Sequence, residues 1–163
     1  MITIDKVVLN IGVGAAGEKL EKAQTILERI AEQKAVITRA KKRIPTWGTR
    51  KKMKIGVKVT LRKEKADRIL RMAFEAVDNQ IKEQSISDNG TFSFGVKEYI
   101  DLPGIKYDPE IGVFGFDVCV NLKKWGYRVD KRKRRQSKMP NRHRITKEET
   151  KEFIEKNYGV KVI

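Results

Sequence analysis

An α+β fold, with a mostly antiparallel sheet covered by helices on one face and open on the other, is what this sequence predicts. Three observations carry the prediction. Four segments alternate apolar and polar residues with a period of two, the mark of strands that bury one face only. Two longer segments carry a single apolar stripe at helical spacing, enough to cover that buried face. The outward strand positions, Asn10, Lys58, Thr60, Arg62, Ser93 and Lys97, are polar or basic, so the second face has no apolar surface to hide. With 163 residues, 39% of them hydrophobic, residues 1–163 suit one domain with its own core. A basic loop at about 39–54 and a basic stretch at about 123–144 extend from it.

Each element follows in order. Residues 3–11 read as a strand with Val7, Leu9 and Ile11 on one face, and a glycine turn, Gly12 to Gly17, ends it. Residues 18–33 predict a helix whose stripe is Leu20, Ala23, Leu27, Ile30 and Ala31. Residues 35–38 are a short apolar strand or extended link. Residues 39–54, with Pro45 and Gly48 and no period, are a loop or a long hairpin tip. In 55–62, Ile55, Val57, Val59 and Leu61 face one way and Lys58, Thr60 and Arg62 the other. Residues 63–82 predict a second helix with Ala66, Ile69, Leu70, Ala73, Phe74 and Val77 inward, and Ser87 to Gly90 a turn. Two more strands follow: 91–99 with Phe92, Phe94 and Val96 inward, and 113–122 with Phe114, Phe116, Val118, Val120 and Leu122 inward. Thr146-Lys-Glu-Glu149 is a capping box for a last helix of about 146–157, and the chain ends in a short apolar Val160–Ile163.

Charge points to a partner. Lys and Arg total 37 against 21 Asp and Glu, a net charge of +16. Such self-repulsion is relieved by a polyanion: nucleic acid first, an anionic membrane surface second. Residues 34–65 hold 13 Lys/Arg and one acid, Glu64; residues 123–144 hold 11 and one acid, Asp130. Two clusters mark a footprint better than net charge does, although solvated loops would also carry such charge. One cysteine, Cys119, and one histidine, His143, can form neither a zinc site nor an internal disulfide, which suggests a reducing, intracellular setting. No signal-peptide pattern opens the sequence, and no apolar run approaches the ~20 residues of a membrane span.

Several motifs admit two readings. Gly12-Val13-Gly14-Ala15-Ala16-Gly17 matches G-x-G-x-x-G between a strand and a helix, with Glu32 near the distance of a ribose-binding acid. Against a dinucleotide site, strand and helix do not go on alternating, the next strand runs into Arg39, Lys41, Lys42 and Arg43, and no catalytic pair is present to use a cofactor. The expectation is no cofactor, no metal and no catalytic residue. Cys119 reads as a small half-buried strand residue, and His143, among Asn141, Arg142 and Arg144, as a phosphate or base contact. Trp47 in the first basic loop, and Trp125 and Tyr127 in the second stretch, can stack on bases or tuck back onto the domain. Residues 131–135 (KRKRR) suit RNA contact or a nuclear localisation tract. An RNA scaffold, a nucleotide-cofactor enzyme and a separate, nuclear nucleic-acid adaptor are thus the candidate functions.

Three ordered motifs narrow the choice: residues 8–14 (VLNIGVG), 32–42 (EQKAVITRAKK) and 55–62 (IGVKVTLR). Together they resemble the universal large-subunit ribosomal protein family known as L-five. Residues 112–117 (GVFGFD) and 143–149 (HRITKEE) are similar to its archaeal and eukaryotic branch. Glu32 departs from bacterial members, which usually carry glycine there, and is expected to alter a helix end. The resemblance implies a protein that holds 5S rRNA to large-subunit rRNA in the central protuberance. It also implies that Asn10, Gln33 and Thr60 hydrogen-bond 5S rRNA, and the expected 5S surface further includes Gly12, Gly14, Thr38, Lys41, Lys42, Lys58 and Arg62. The loop 46–54, with Trp47, Arg50, Lys51 and Lys52, is implied to reach tRNA in the peptidyl site. Arg132, Arg134, Arg135 and His143 are expected as additional rRNA contacts. Neighbouring ribosomal proteins, one of them across the subunit interface on the small subunit, complete the implied partners.

Overall fold

β1 (Ile2–Gly12) is the central strand of a five-stranded sheet in the computed structural model, which describes residues 2–163. It pairs with β3 (Lys54–Leu61) on one side and β6 (Phe116–Lys124) on the other. β2 (Val36–Arg39) extends the sheet beyond β3, and β5 (Thr91–Val96) beyond β6. Every pairing in this sheet is antiparallel, in the order β2-β3-β1-β6-β5. The period-two residues fall as expected. Val7, Leu9, Ile11, Val57, Val59, Leu61, Val118, Val120 and Leu122 are all buried on one face.

α1 (Glu18–Ala31) and α2 (Lys63–Glu75) cover that face, α1 against β3 and α2 against β1. Their buried stripes are the predicted ones, with Ile26 added to α1 and with Val77, only partly buried, falling beyond the end of α2. Each large aliphatic or aromatic side chain buried this way contributes roughly 1.5–3 kcal/mol, so the apolar stripe dictates which helix face turns inward. α1 stops at Ala31 because Glu32 takes a left-handed conformation (φ 47°) at the C-cap, a position where glycine is the usual residue.

α2 ends at Glu75, short of the predicted 82. Asp78 and Asn79 are left-handed (φ 56° and 54°), and the Asn79 amide donates to the Phe74 carbonyl, so the chain turns sharply. It then enters β4 (Gln80–Ile81), which pairs in parallel with β7 (Lys161–Val162) near the C-terminus. Helical periodicity carries through Val77 and hides the stop, whereas Asp-Asn is a turn pair. The predicted strand 91–99 ends at Val96, followed by a helical turn at Tyr99–Asp101. The predicted strand 113–122 begins at Phe116 and runs on to Lys124, leaving Phe114 half-buried before it.

A short helix, α3 (Arg128–Lys131), follows β6, and α4 (Lys147–Tyr158) closes the chain. The capping box is present in full: Thr146 accepts from the Glu149 amide and Glu149 accepts from the Thr146 amide. At its other end α4 is fastened to α2. The Tyr158 hydroxyl donates to Asp67, the Arg71 guanidinium sits 5.1 Å from the Tyr158 ring centre, and that ring lies 5.2 Å from Phe74.

The two ends of the sheet carry different segments. Gly12 pairs with Gly56, so the glycine turn and the β2–β3 loop share the end where β1 finishes. Ile2 pairs with Lys124, so the second basic stretch departs from the end where β1 begins. At about 3.3 Å per residue, the eleven residues of β1 separate these ends by roughly 30 Å.

Candidate nucleic-acid interface

Register decides what the open face presents. Asn10 lies opposite Lys58, Val8 opposite Thr60, and Gly12 opposite Gly56. On the next strand Val36 pairs with Lys58 and Thr38 with Gly56. Asn10, Thr38, Lys58 and Thr60 therefore share one patch on the β2-β3-β1 half. Beyond the end of β2, the Gln33 side-chain amide donates to the Thr60 carbonyl (3.3 Å), which brings Gln33 to the rim of the same patch. Lys58 is exposed, and Asn10, Thr38 and Thr60 are partly exposed, so polar groups meet solvent without a protein cover. The β6-β5 half is different: its middle positions Asp117, Cys119 and Ser93 are exposed and uncharged or acidic, and its lysines stand at the margins, Lys123 near the end of β6 and Lys97 just beyond β5.

The glycine turn serves the fold at one end and leaves space at the other. The Val13 and Gly14 amides both donate to the Ile55 carbonyl (3.0 and 2.8 Å), so they point into the protein. Gly14 (φ 80°) and Gly17 (φ 138°) need glycine for backbone reasons. Gly12 does not: it has no positive φ, and a Cβ placed there would meet nothing within 4 Å. Glu18 and Glu21 occupy the first turn of α1, where they oppose a phosphate at the helix N-terminus. The amide directions and these two carboxylates both argue against a dinucleotide site.

The β2–β3 loop projects from the same end as an ordered hairpin tip. Ala40 and Met53 pair at its base, Ile44 and Thr49 bridge further out, and Gly48 (φ 61°) closes a helical turn over Pro45–Trp47. Lys41, Lys42, Arg43, Arg50, Lys51 and Lys52 are all exposed, and among the described residues none has a carboxylate within 4 Å. Trp47 is 73% exposed and does not tuck back onto the domain. Lys41 and Lys42, expected with the 5S set, stand with this loop, and Gly12 and Gly14 lie beside its base.

At the opposite end, Arg132, Arg134, Arg135 and His143 are exposed, remote from the loop and not contiguous with it. Arg132 Nε donates to the Arg135 carbonyl (2.7 Å), and His143 Nε2 donates to the Trp125 carbonyl (2.8 Å). His143 thus spends one ring nitrogen on the fold. Arg62 also lies toward this end, beside a partner that alternation alone did not reveal. A bulge between Ile4 and Lys6 turns Asp5 into a nearly buried position, its side chain only 10% exposed. Lys131 (2.8 Å), Lys123 (3.8 Å) and Arg62 (3.8 Å) converge on its carboxylate. Burial alone would raise the Asp5 pKa, but the Lys131 hydrogen bond and the three cations outweigh it and hold the carboxyl below its usual range. A bulge is invisible to a period of two, so no sequence signal marked Asp5 as the residue that ties the second basic stretch to the sheet.

Two further features complete the surface. Cys119 is exposed, not half-buried as expected, and stands on the open face between Val8 of β1 and Ser93 of β5. The surrounding sheet face, and then Asp117, push its thiol pKa up, which leaves it a poor nucleophile. Residues 98–117 hold five acids, Glu98, Asp101, Asp108, Glu110 and Asp117, against one base, Lys106. Asp108 is tied to Arg29 of α1 (2.6 Å), while the other four are exposed. Among the described residues no cluster of His, Cys, Asp and Glu could hold a metal ion, and no helix is long and apolar enough to cross a membrane.

Comparison with known proteins gives consistent matches along the chain. Residues 1–50 match the family model described as ribosomal protein L5, and residues 54–155 match the model for the C-terminus of the same ribosomal family. The large ribosomal subunit protein uL5 of Pyrobaculum aerophilum is 52% identical over 161 residues, 99% of this chain and 90% of the relative. That of Archaeoglobus fulgidus is 50% identical over 154 residues, covering 94% and 86%. That of Nanoarchaeum equitans is 50% identical over 163 residues, covering 99% and 96%.

Proposed function

Since the chain belongs to the ribosomal protein L5 family, and so is a structural, non-enzymatic constituent of the large ribosomal subunit, we propose that it binds 5S rRNA on the β2-β3-β1 half of its open sheet face. In that role it anchors 5S rRNA to large-subunit rRNA in the central protuberance of cytoplasmic ribosomes. The observation that carries this reading is the convergence of Asn10, Thr38, Lys58 and Thr60 on one uncovered patch, with Gln33 at its rim. Open sheet faces with polar and basic side chains suit single-stranded and irregular RNA, and Lys58 supplies the charge. The Trp47–Lys52 loop, with a bare indole and unpaired cations, contacts peptidyl-site tRNA. The acidic segment 98–117 fits a basic protein, and it is the surface we assign to the contact with the small subunit.

Thr60 supplies the test. Its neighbours Val59 and Leu61 are buried and hold the strand in place, so Thr60→Val keeps shape and strand propensity while removing one hydroxyl. 5S rRNA affinity should fall by roughly 0.5–1.5 kcal/mol, and by more if an RNA group is left buried without a partner. A Thr60→Val protein that binds 5S rRNA as well as the wild type, beside a Ser93→Val control that does not, would move the site to the other half of the sheet.

A further inference from the structure

β6 leaves the sheet at Lys124 and turns through Trp125-Gly126-Tyr127 into α3. Trp125 is 90% exposed, more than any other large apolar side chain among the described residues. The turn that presents it is built, not loose. His143 Nε2 donates to the Trp125 carbonyl (2.8 Å), and the Tyr127 and His143 rings lie 6.0 Å apart. The Tyr127 hydroxyl accepts the amide of Ile145, which is fully buried. Gly126 adopts φ +94°, and a Cβ there would come within 3.2 Å of His143 Nε2. Four residues thus fix the backbone beneath an indole that touches little of the protein itself.

A cleft of about 650 Å³ opens beside the ring, lined by Thr3, Lys123, Tyr127 and Arg128 among others. Its charges are unevenly spent. Lys124 is held by Glu149 (2.6 Å) and Lys123 only distantly by Asp5 (3.8 Å), while Arg128 has no carboxylate within 4 Å among the described residues. An aromatic floor with a cationic rim is the chemistry that accepts a base by stacking and its phosphate by charge. An apolar protein surface would have to strip water from Lys123 and Arg128 to reach the indole, which disfavours it.

We propose that this cleft is a second RNA site, separate from the open-face patch and the β2–β3 loop, that takes one unpaired nucleotide of an rRNA strand. The base stacks on Trp125 and the phosphate lies between Lys123 and Arg128. The site rests on the RNA-binding reading above and adds to it a location, at the end of the sheet where β1 begins, and a requirement for an unstacked base. A paired base, stacked on both faces already, cannot offer a free face to the indole.

The test uses the full chain carrying Trp47→Phe, so that Trp125 alone reports. It is titrated at fixed low salt with hexaadenylate, hexauridylate, an RNA duplex of matched charge and hexaglutamate. Saturable quenching by the single strands, several-fold weaker with the duplex and hexaglutamate, is expected. Adding Trp125→Ala should weaken binding of a labelled hexanucleotide roughly tenfold, within the range base–aromatic stacking supplies, and Trp125→Phe should recover most of it. Equal quenching by duplex and single strand, preference for hexaglutamate, or unchanged affinity in Trp125→Ala would each overturn the cleft. 5S rRNA affinity measured on the same proteins separates the two ideas. If Trp125→Ala binds both RNAs as its parent does, the cleft fails alone; if the parent binds neither RNA, the RNA-binding reading fails with it.

Discussion

Gly12 and Gly56 face each other across β1 and β3, yet they are glycine for opposite reasons. A Cβ on Gly56 would sit 2.7 Å from the Ile11 carbonyl oxygen and 3.0 Å from Thr38 Oγ1, so the protein itself excludes a side chain. A Cβ on Gly12 would meet open space, so any exclusion there comes from outside. Gly12→Ala should keep the melting temperature or raise it, since replacing a strand glycine gains roughly 0.5–1 kcal/mol, while 5S rRNA affinity falls. Gly56→Ala should lose about 1–3 kcal/mol of stability by overpacking. Thermal melts and 5S rRNA titrations on both variants check this; a Gly12→Ala protein with unaltered affinity would remove Gly12 from the interface. Asp5 supports a second prediction. Its folded-state pKa is depressed, so its stabilisation is complete above the ordinary aspartate value of ~3.9 and is lost as pH falls through the lower folded value. Asp5→Asn should therefore cost on the order of 1 kcal/mol at pH 7, modest because its three cations are about half exposed, and the difference from wild type should shrink below pH ~4. Melts at neutral and acid pH measure it, and a difference that grows on acidification would contradict the assigned cation cluster.

The β2–β3 loop shows what an element contributes when its contacts are its own. Its hydrogen bonds run between Ala40 and Met53, Lys52 and Ala40, and Ile44 and Thr49, all within the hairpin. Replacing residues 47–52 with a short Gly/Ser link should leave the fold intact and 5S rRNA binding reduced only by the lost general attraction. Reconstituted ribosomes carrying that variant should release peptidyl-site tRNA faster. Loss of 5S rRNA binding on truncation would reverse the assignment of the two surfaces. The same hairpin marks the boundary of what the sequence made legible. Val57, Val59 and Leu61 announced β3 by strict alternation, and Asn10 and Thr60 could be placed on one face from parity alone. Parity did not give the pairing order, so the separation of the basic loop 39–54 from the basic stretch 123–144 to opposite ends appeared only with the register. Asp5 was hidden by its bulge, the early end of α2 by a stripe that continues to Val77, and β4 and β7 by being two residues long. The Asp5 cluster and the β4–β7 pairing are set by contacts far apart in sequence, which local patterning does not record, whereas the stop of α2 is written locally in Asp78-Asn79 and was masked by the stripe.

Across the whole molecule, charge is arranged as well as abundant. The basic loop 39–54 and the basic stretch 123–144, with 19 of the 37 basic residues, occupy opposite ends, the β2-β3-β1 face joins them, and the segment 98–117 is acidic. If roughly 6–10 cations neutralise phosphates, raising salt from about 50 to 200 mM should weaken 5S rRNA binding on the order of a thousandfold or more. A nearly flat salt titration would show that charge does not drive association. The central place of β1 has another consequence, in time instead of space. Of the five strands in the sheet β1 is synthesised first, and its two neighbours are β3, ending at Leu61, and β6, ending at Lys124. At translation speeds of roughly 5–20 residues per second, about 10 s pass between the completion of β1 and the completion of β6. During that interval one backbone edge of an apolar strand stays unpaired on the nascent chain, open to wrong pairing. The newborn protein is therefore most vulnerable along β1, and a chaperone that shields it would need to hold residues 2–12 until the last strand of the sheet has emerged.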